Sequence, residues 1–182
     1  MNHSSLPKIP WWKKTTRLIA EATLFAVIFY GVISWQQRNM LATGEQLPIE
    51  QLKLLNIQGS VTKYQLNQSE QNTLIYFFAP WCKVCDLSID NLEKIYQKHS
   101  KNLLVLAIVL DWQSLNEIDE FLNKHQLSMP ILLGDNNTRN QFNINGYPSY
   151  YLISKDGKVL ARSRGYSTEV GLQWQLKLND SI

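Results

Sequence analysis

The sequence predicts an α/β domain, a mixed central β-sheet flanked by helices and led by a β-hairpin, behind a single N-terminal transmembrane helix. Three observations carry that prediction. The stretch Leu18 to Trp35 is apolar on all sides, unlike a helix that covers one face of a soluble core. Continuous apolar runs at 72–79 and 102–110 alternate with segments of helical period, as strands buried on both faces do. Two alternating runs at 149–154 and 158–163 then flank Lys155-Asp156-Gly157, a hairpin turn signal. Strand–helix alternation followed by an antiparallel pair implies a mixed sheet.

The chain has 182 residues, enough for one ordinary domain and an appended segment. Its hydrophobic share of 45% and charged share of 18% are those of a globular protein. A net charge of +3, with no basic cluster in the body of the chain, excludes nucleic acid as the expected partner.

The excess charge sits at the N-terminus, where Lys8, Lys13, Lys14 and Arg17 have Glu21 as their one acidic neighbour. Beyond the span only Arg38 follows closely, before Glu45 and Glu50. Basic residues concentrate on the cytoplasmic side of a membrane helix, so residues 1–17 are expected to be a cytoplasmic tail. Residues 18–35 are then the anchor, 36–46 a polar tether and 47–182 the folded domain. Trp11, Trp12, Tyr30 and Trp35 suit the interfacial belts. A cleaved signal peptide would show small residues just after its apolar core, where this chain has Trp35-Gln36-Gln37-Arg38. An uncleaved anchor is expected.

The elements follow in order. "LKLLNI" and "SVTKYQL" about Gln58-Gly59 read as the leading hairpin. "NTLIYFFA" is a buried strand; after it Cys85, Ile89, Leu92, Tyr96 and His99 share a helical face. "NLLVLAIVL" is a second buried strand. "SLNEIDEFLNKH" is a helix with Leu115, Ile118 and Phe121/Leu122 inward. "MPILLG" is a short strand and "NNTRNQFNI" a short helix. The closing helix is expected to start from Ser167 as its N-cap, with Glu169 in the first turn. Val170, Trp174 and Leu178 form its apolar stripe.

The chain's two cysteines, Cys82 and Cys85, stand in "APWCKVCD" at the end of the first buried strand. That is the carboxyl end of a central strand, where open α/β sheets place their sites. A structural disulfide over so short a loop gains little, because its entropic value grows with loop length. Zinc needs four ligands, and neither His99 nor His125 lies at ligand spacing. Each ends a helix, where a histidine is a favourable C-terminal charge. Cu(I), which two thiolates can hold alone, is an alternative. A redox-cycling pair has positive support. Cys82 falls at a helix N-terminus, whose free N–H groups and dipole stabilise a thiolate, and Lys83 adds a positive charge. Cys85, one turn on, falls on the buried stripe. The outer thiolate would exchange with a partner and the inner one resolve the mixed disulfide. No cofactor and no metal is expected.

"NGYPSYYLI" puts Pro148 at the start of a strand. Proline makes a cis bond accessible, and a cis Tyr147–Pro148 bond would turn the Tyr147 backbone towards the cysteines. The plainer reading is a trans proline opening an edge strand.

"WCKVC" after a hydrophobic strand, followed by "GYP", resembles the thioredoxin fold over roughly residues 47–178. The anchor, the leading hairpin and "YYLISKDGKVLARSRGYST" resemble the membrane-anchored periplasmic thioredoxin-like proteins of the TlpA class. "GYSTEVGLQWQL" and the valine of "CKVC" are most similar to the suppressor-of-copper-sensitivity D branch, a branch of protein disulfide oxidoreductases. The resemblance implies a thiol–disulfide oxidoreductase in the bacterial inner membrane, its domain periplasmic. Partners would be periplasmic protein thiols and disulfides, with a membrane or periplasmic electron donor. Cys82 and Cys85 would be catalytic, and Pro80, Trp81, Lys83, Val84, Tyr147 and Pro148 would shape the site. The copper-related branch implies protecting thiols, or supplying electrons, where copper causes oxidation.

The departures from the family pattern are specific. Thioredoxin's buried aspartate, six residues before the first cysteine, is replaced by Tyr76. The glutamate that cytochrome-maturation members carry three residues after the second cysteine is replaced by Ser88. Val84 stands where many relatives have proline. The usual proton acceptor for the resolving thiol is therefore missing. Asp86 is expected to point away, leaving water or a partner group as the base.

Overall fold

The computed structural model describes residues 11–182. The expected basic tail lies outside the described residues at positions 1–10, as do the side chains of 11–15 and Arg17. The chain divides into two units, residues 1–38 and 39–182.

In the first unit α1 (Trp11–Gln37) is one uninterrupted helix. Its segment Leu18–Gln37 is 20 residues long, has a mean hydropathy of 1.8 and is nowhere buried. At a rise of about 1.5 Å per residue that length matches a bilayer's hydrocarbon core of about 30 Å. The Arg38 guanidinium lies 5.3 Å from the ring centre of Trp35, a cation–π contact just beyond the apolar run.

The second unit is built on a seven-stranded sheet. Strands β1 (Gln51–Asn56) and β2 (Val61–Gln65) form the leading hairpin. Then come β3 (Asn72–Phe78), α2 (Lys83–His99), β4 (Leu103–Val109), α3 (Leu115–His125) and β5 (Ile131–Leu133). The chain closes with α4 (Asn136–Gln141), β6 (Ser149–Ile153), β7 (Val159–Arg164) and α5 (Glu169–Leu178). Strand order is β2-β1-β5-β4-β3-β6-β7. β3, β4 and β5 run parallel, and the hairpins add antiparallel strands on both sides. Gly157 turns the second hairpin at φ +80°, where a side chain is disfavoured and a Cβ would meet Gln46 Nε2 at 2.8 Å.

The fully buried runs of β3 and β4 separate two apolar clusters. On one face Tyr76, Phe78, Val105 and Val109 pack against Ile89 and Leu92 of α2, Ile118 and Phe121 of α3, and Leu172 and Leu176 of α5. On the other, Ile75, Phe77, Leu106 and Ile108 pack against Phe142 and Ile144 at the end of α4. Met40, Leu41 and Leu47 complete that second face.

The structure corrects four expectations. Residues 39–46 do not behave as a polar tether. Arg162 Nη1 donates to the carbonyls of Met40 at 2.6 Å and Leu41 at 2.9 Å, and Gly44 N donates to Val159 O at 2.8 Å. The segment covers the edge strand β7 and buries two apolar side chains. The N-cap of α5 is Thr168, not Ser167; its hydroxyl accepts from Gly171 N. The stripe Val170, Trp174, Leu178 faces outward, at 76%, 65% and 67% exposure. Apolar residues at every second position of this 10-residue helix make two stripes about 200° apart, and Leu172 with Leu176 took the core. Leu115, the first residue of α3, is exposed; Ile118 and Phe121 carry the docking.

Candidate functional site

The residues between β3 and α2 are where the sheet's apolar run meets a helix N-terminus. Cys82 is the N-cap of α2, and its Sγ accepts from Cys85 N at 3.1 Å. That is the place a capping oxygen would take, so the sulfur is directed at orphan helix amides. Cys82 and Cys85 are joined by a disulfide. Cys82 is 7% exposed and Cys85 0%, so one sulfur borders solvent and the other lies beneath it. Both belong to the apolar cluster on the α2 face.

Pro148 immediately precedes β6, whose antiparallel pairing with β3 brings Ser149 opposite Phe77. The Tyr147–Pro148 peptide bond is cis. The Tyr147 ring meets Trp81 edge-on, with centroids 5.9 Å apart and planes at 82°. The structure thus brings Trp81 and Tyr147 together above the strand ends, close in the chain to Cys82 and Pro148. Trp81 is exposed and anchored by a 3.0 Å hydrogen bond from Nε1 to Asp111 O. Pro80, Trp81, Cys82, Lys83 and Lys124 help line a groove of about 360 Å³ that also reaches Phe121. Val84 is exposed on the first turn of α2. A larger cavity of about 560 Å³ lies between the leading hairpin and the loop before β5, and no cysteine lines it.

Electrostatic partners at this end of the sheet come from residues distant in sequence. Arg139 Nη1 meets both carboxylate oxygens of Asp111, at 2.8 and 2.9 Å, and its Nε donates to Ile144 O at 3.1 Å. Asp111 has φ 51°, a left-handed conformation that aspartate tolerates better than most residues. Burial pushes the Tyr147 phenol well above its ordinary range, and the Asp111 charge adds to this. Asp86, expected to point away, also lines the groove with Cys82, but its carboxylate is engaged by α3. It accepts from Lys124 Nζ at 2.6 Å and lies 2.8 Å from His125 Nε2. Those two contacts, Lys124 first, hold its carboxyl below the usual carboxylate range.

His125 is more than a favourable charge at a helix end. Its buried ring is held between Asp86 and Asp90, each at 2.8 Å, and clamps α3 to α2. The spacing of Asp86 and Asp90, one helical turn apart, was a sequence signal for a shared cation. Asp111 and Arg139 offered no such signal, since their meeting depends on the parallel stacking of β4 and β5.

The core cluster that holds Cys85 also holds Tyr76 and Tyr150, and Ser88 follows Cys85 by one helical turn. Tyr76 and Tyr150 are in register on β3 and β6 with rings 4.8 Å apart, and Tyr76 Oη is 3.2 Å from Ser88 Oγ. Burial, then the neighbouring Tyr150, raises the Tyr76 phenol well above its ordinary value.

Comparison with known proteins agrees with this geometry. Residues 43–162 match the AhpC/TSA family. The chain is 25% identical over 138 residues to the thioredoxin-like protein YneN of Bacillus subtilis, covering 75% of this chain and 79% of that one. It is 25% identical over 109 residues to the thiol-disulfide oxidoreductase ResA of Bacillus thuringiensis, covering 59% of this chain. That match spans 62% of ResA, under two thirds of its length. Among solved structures, StoA from Bacillus subtilis superposes with a TM-score of 0.62 at 19% identity, covering 72% of this chain and 98% of StoA. A thioredoxin-family thiol:disulfide interchange protein from Chlorobium tepidum superposes with a TM-score of 0.65 at 16% identity, covering 76% and 99%. These likenesses establish a thioredoxin-like fold. With a family match over more than half its length, the chain belongs to the AhpC/TSA family.

Proposed function

We propose that the protein is a membrane-tethered thiol–disulfide oxidoreductase that exchanges disulfides with protein partners through Cys82 and Cys85. The observation that carries this reading is the unequal placement of the two sulfurs. Cys82 caps α2 at the rim of a groove, and Cys85 is sealed beneath it. A partner thiolate would approach Cys82 Sγ from the groove, and the buried Cys85 sulfur would be the leaving group. When the pair is reduced, the same helix N-terminus favours the Cys82 thiolate as the attacking group. On this reading Pro80, Trp81, Lys83, Val84, Tyr147 and Pro148 shape the approach to the sulfurs; the groove lined by Pro80, Trp81 and Lys83 and the edge-on contact of Trp81 with Tyr147 support it. The relatives named as thiol-disulfide oxidoreductases support the same chemistry.

The apolar helix α1 supports an anchor through residues 18–35, and the basic N-terminal flank supports a cytoplasmic tail and a periplasmic domain. A role as a reductant under copper or oxidative stress rests on the resemblance of 165–176 and Val84 to the copper-sensitivity branch. The second reading is a copper-binding or chaperone module holding Cu(I) on the two thiolates, and nothing in the groove beside Cys82 adds a further cysteine, methionine or histidine among the described residues.

The test is trapping. Cys85→Ala in the full chain should accumulate mixed disulfides that dithiothreitol releases, and Cys82→Ala should accumulate few. Wild-type protein that neither reduces nor oxidises a protein disulfide such as insulin would refute the activity. Reporters fused at residue 45 should be active only when of the periplasmic type.

A further inference from the structure

We propose that Ser88 and Tyr76 form a hydrogen-bond donor chain for the Cys85 thiolate released when the disulfide opens, with Tyr150 as a third hydroxyl of the cluster. This rests on the reading that Cys82 and Cys85 exchange disulfides. The donors stabilise the thiolate, and water or a partner group is left as the base that takes the thiol proton.

Ser88 lies one turn after Cys85 on α2, and both are fully buried against the sheet. Its hydroxyl donates to Val84 O at 2.8 Å and leans towards Cys85 O at 3.4 Å. A serine hydroxyl has one proton, so the 3.2 Å contact with Tyr76 is donated by the tyrosine. Order is therefore defined: Tyr76 donates to Ser88, and Ser88 donates to the first turn of α2. The Tyr150 hydroxyl lies near Tyr76, Ser88 and Ser167, is buried, and has no hydrogen-bond partner of proper geometry. Three hydroxyls in a core otherwise made of Ile89, Leu92, Val105 and Leu152 are hard to explain by packing alone.

The surrounding charges are engaged elsewhere. Asp86 and Asp90 face Lys124 and His125 of α3. Glu93 accepts from Ser128 and Met129, and Glu169 of α5 pairs with Lys98. Among the described residues no carboxylate hydrogen-bonds to the three hydroxyls. Burial keeps the Tyr76 and Tyr150 phenols protonated far above neutrality, so they act as fixed donors and carry no charge.

The step balances without further reagents. A partner thiolate attacks Cys82 Sγ, a new S–S bond forms, the Cys82–Cys85 bond breaks, and the electron pair leaves on Cys85 Sγ. The Ser88 hydroxyl turns from Val84 O to that sulfur, polarised by Tyr76 behind it. The partner's second thiolate then attacks its own sulfur in the mixed disulfide, freeing Cys82. The partner, attacking as two thiolates, has lost two electrons; Cys82 and Cys85 have gained them as thiolates, and the two protons that the partner's thiols released pass to the cysteines through solvent.

The experiment uses the full chain in detergent. Reduction of the disulfide by dithiothreitol is timed for wild type, Ser88→Ala, Tyr76→Phe and Ser88→Thr. In the Cys82→Ala background, alkylation of Cys85 is followed against pH. Ser88→Ala should slow reduction about tenfold and raise the alkylation midpoint by about one pH unit. Tyr76→Phe should slow reduction about threefold, and Ser88→Thr, which keeps the hydroxyl, should restore the wild-type rate. Unchanged rates, or slower reduction with an unmoved midpoint, would overturn the donor chain. A wild-type protein inert towards protein disulfides would instead overturn the exchange reading, and the Cys85 midpoint would still report on the donors.

Discussion

Trp81 Nε1 donates to the backbone carbonyl of Asp111 at 3.0 Å, tying the residue before Cys82 to the end of β4. The Asp111 side chain is turned the other way, onto Arg139. One residue thus links the tryptophan beside the disulfide to the helix α4. Arg139→Ala should loosen the loop at Asp111 and leave Trp81 without a fixed acceptor. We expect a stability loss of about 1 kcal/mol, since the ion pair is partly exposed. Exchange with a protein disulfide should slow about threefold, and exchange with dithiothreitol should not change. Urea melts and insulin-reduction rates measure both; equal slowing with the two substrates would contradict a docking role.

The Asp86 contacts set an acid limit. Its folded carboxyl is held low by Lys124 and then His125, so the unfolded chain takes up the proton first as pH falls. The stabilisation is fully present above the unfolded value of about 3.9 and is lost as pH drops through the lower folded value. Asp86→Asn should therefore be less stable than wild type at pH 6, with the gap narrowing at pH 3. Urea midpoints at the two pH values test this. A gap independent of pH would show that the ionised contact adds nothing.

The two stripes of α5 should respond differently to truncation. Leu176→Ala removes a side chain from the core and should cost about 2–4 kcal/mol. Trp174→Ala, although a larger deletion, removes an exposed ring and should stay within about 0.5 kcal/mol. The reverse order in denaturant melts would place the helix with its other face inward.

The segment after the anchor should be part of the folding unit. A fragment beginning at Asn39 should melt cooperatively, and one beginning at Leu47 should be much less stable. The shorter fragment lacks buried Met40 and Leu41 and leaves Arg162 and the Tyr151 hydroxyl short of partners. Leu41→Ala alone should cost about 2–3 kcal/mol. Equal melting of the two fragments would return residues 39–46 to the status of a tether.

Residues whose role depends on neighbours along the chain were legible in the sequence. The apolar runs of β3 and β4 exceed what a half-exposed strand carries, and both strands are buried on two faces. The change of period at Cys82 marked the N-terminus of α2, and Cys82 is its cap. Cys85 on the inward stripe is fully buried.

Wherever two segments had to choose each other, local pattern could not decide. The α5 sequence offers two equivalent stripes, and the choice between them depends on the shape of the surface it docks against. Met40 and Leu41 look like residues of a linker until β7 presents Arg162 and Tyr151 presents its hydroxyl. His125 meets Asp86 and Asp90 only because α3 crosses α2 at that turn. The order of strands and helices, the membrane-length apolar helix and the placing of Cys82 at a helix end with Cys85 on the inward stripe were all legible from periodicity over a few consecutive residues. The meeting of Tyr76, Ser88 and Tyr150 in the core that holds Cys85 came from tertiary packing. Their contact is set by the register of β3 with β6 and by the rotation of α2 on the sheet, and neither quantity is encoded in any one segment.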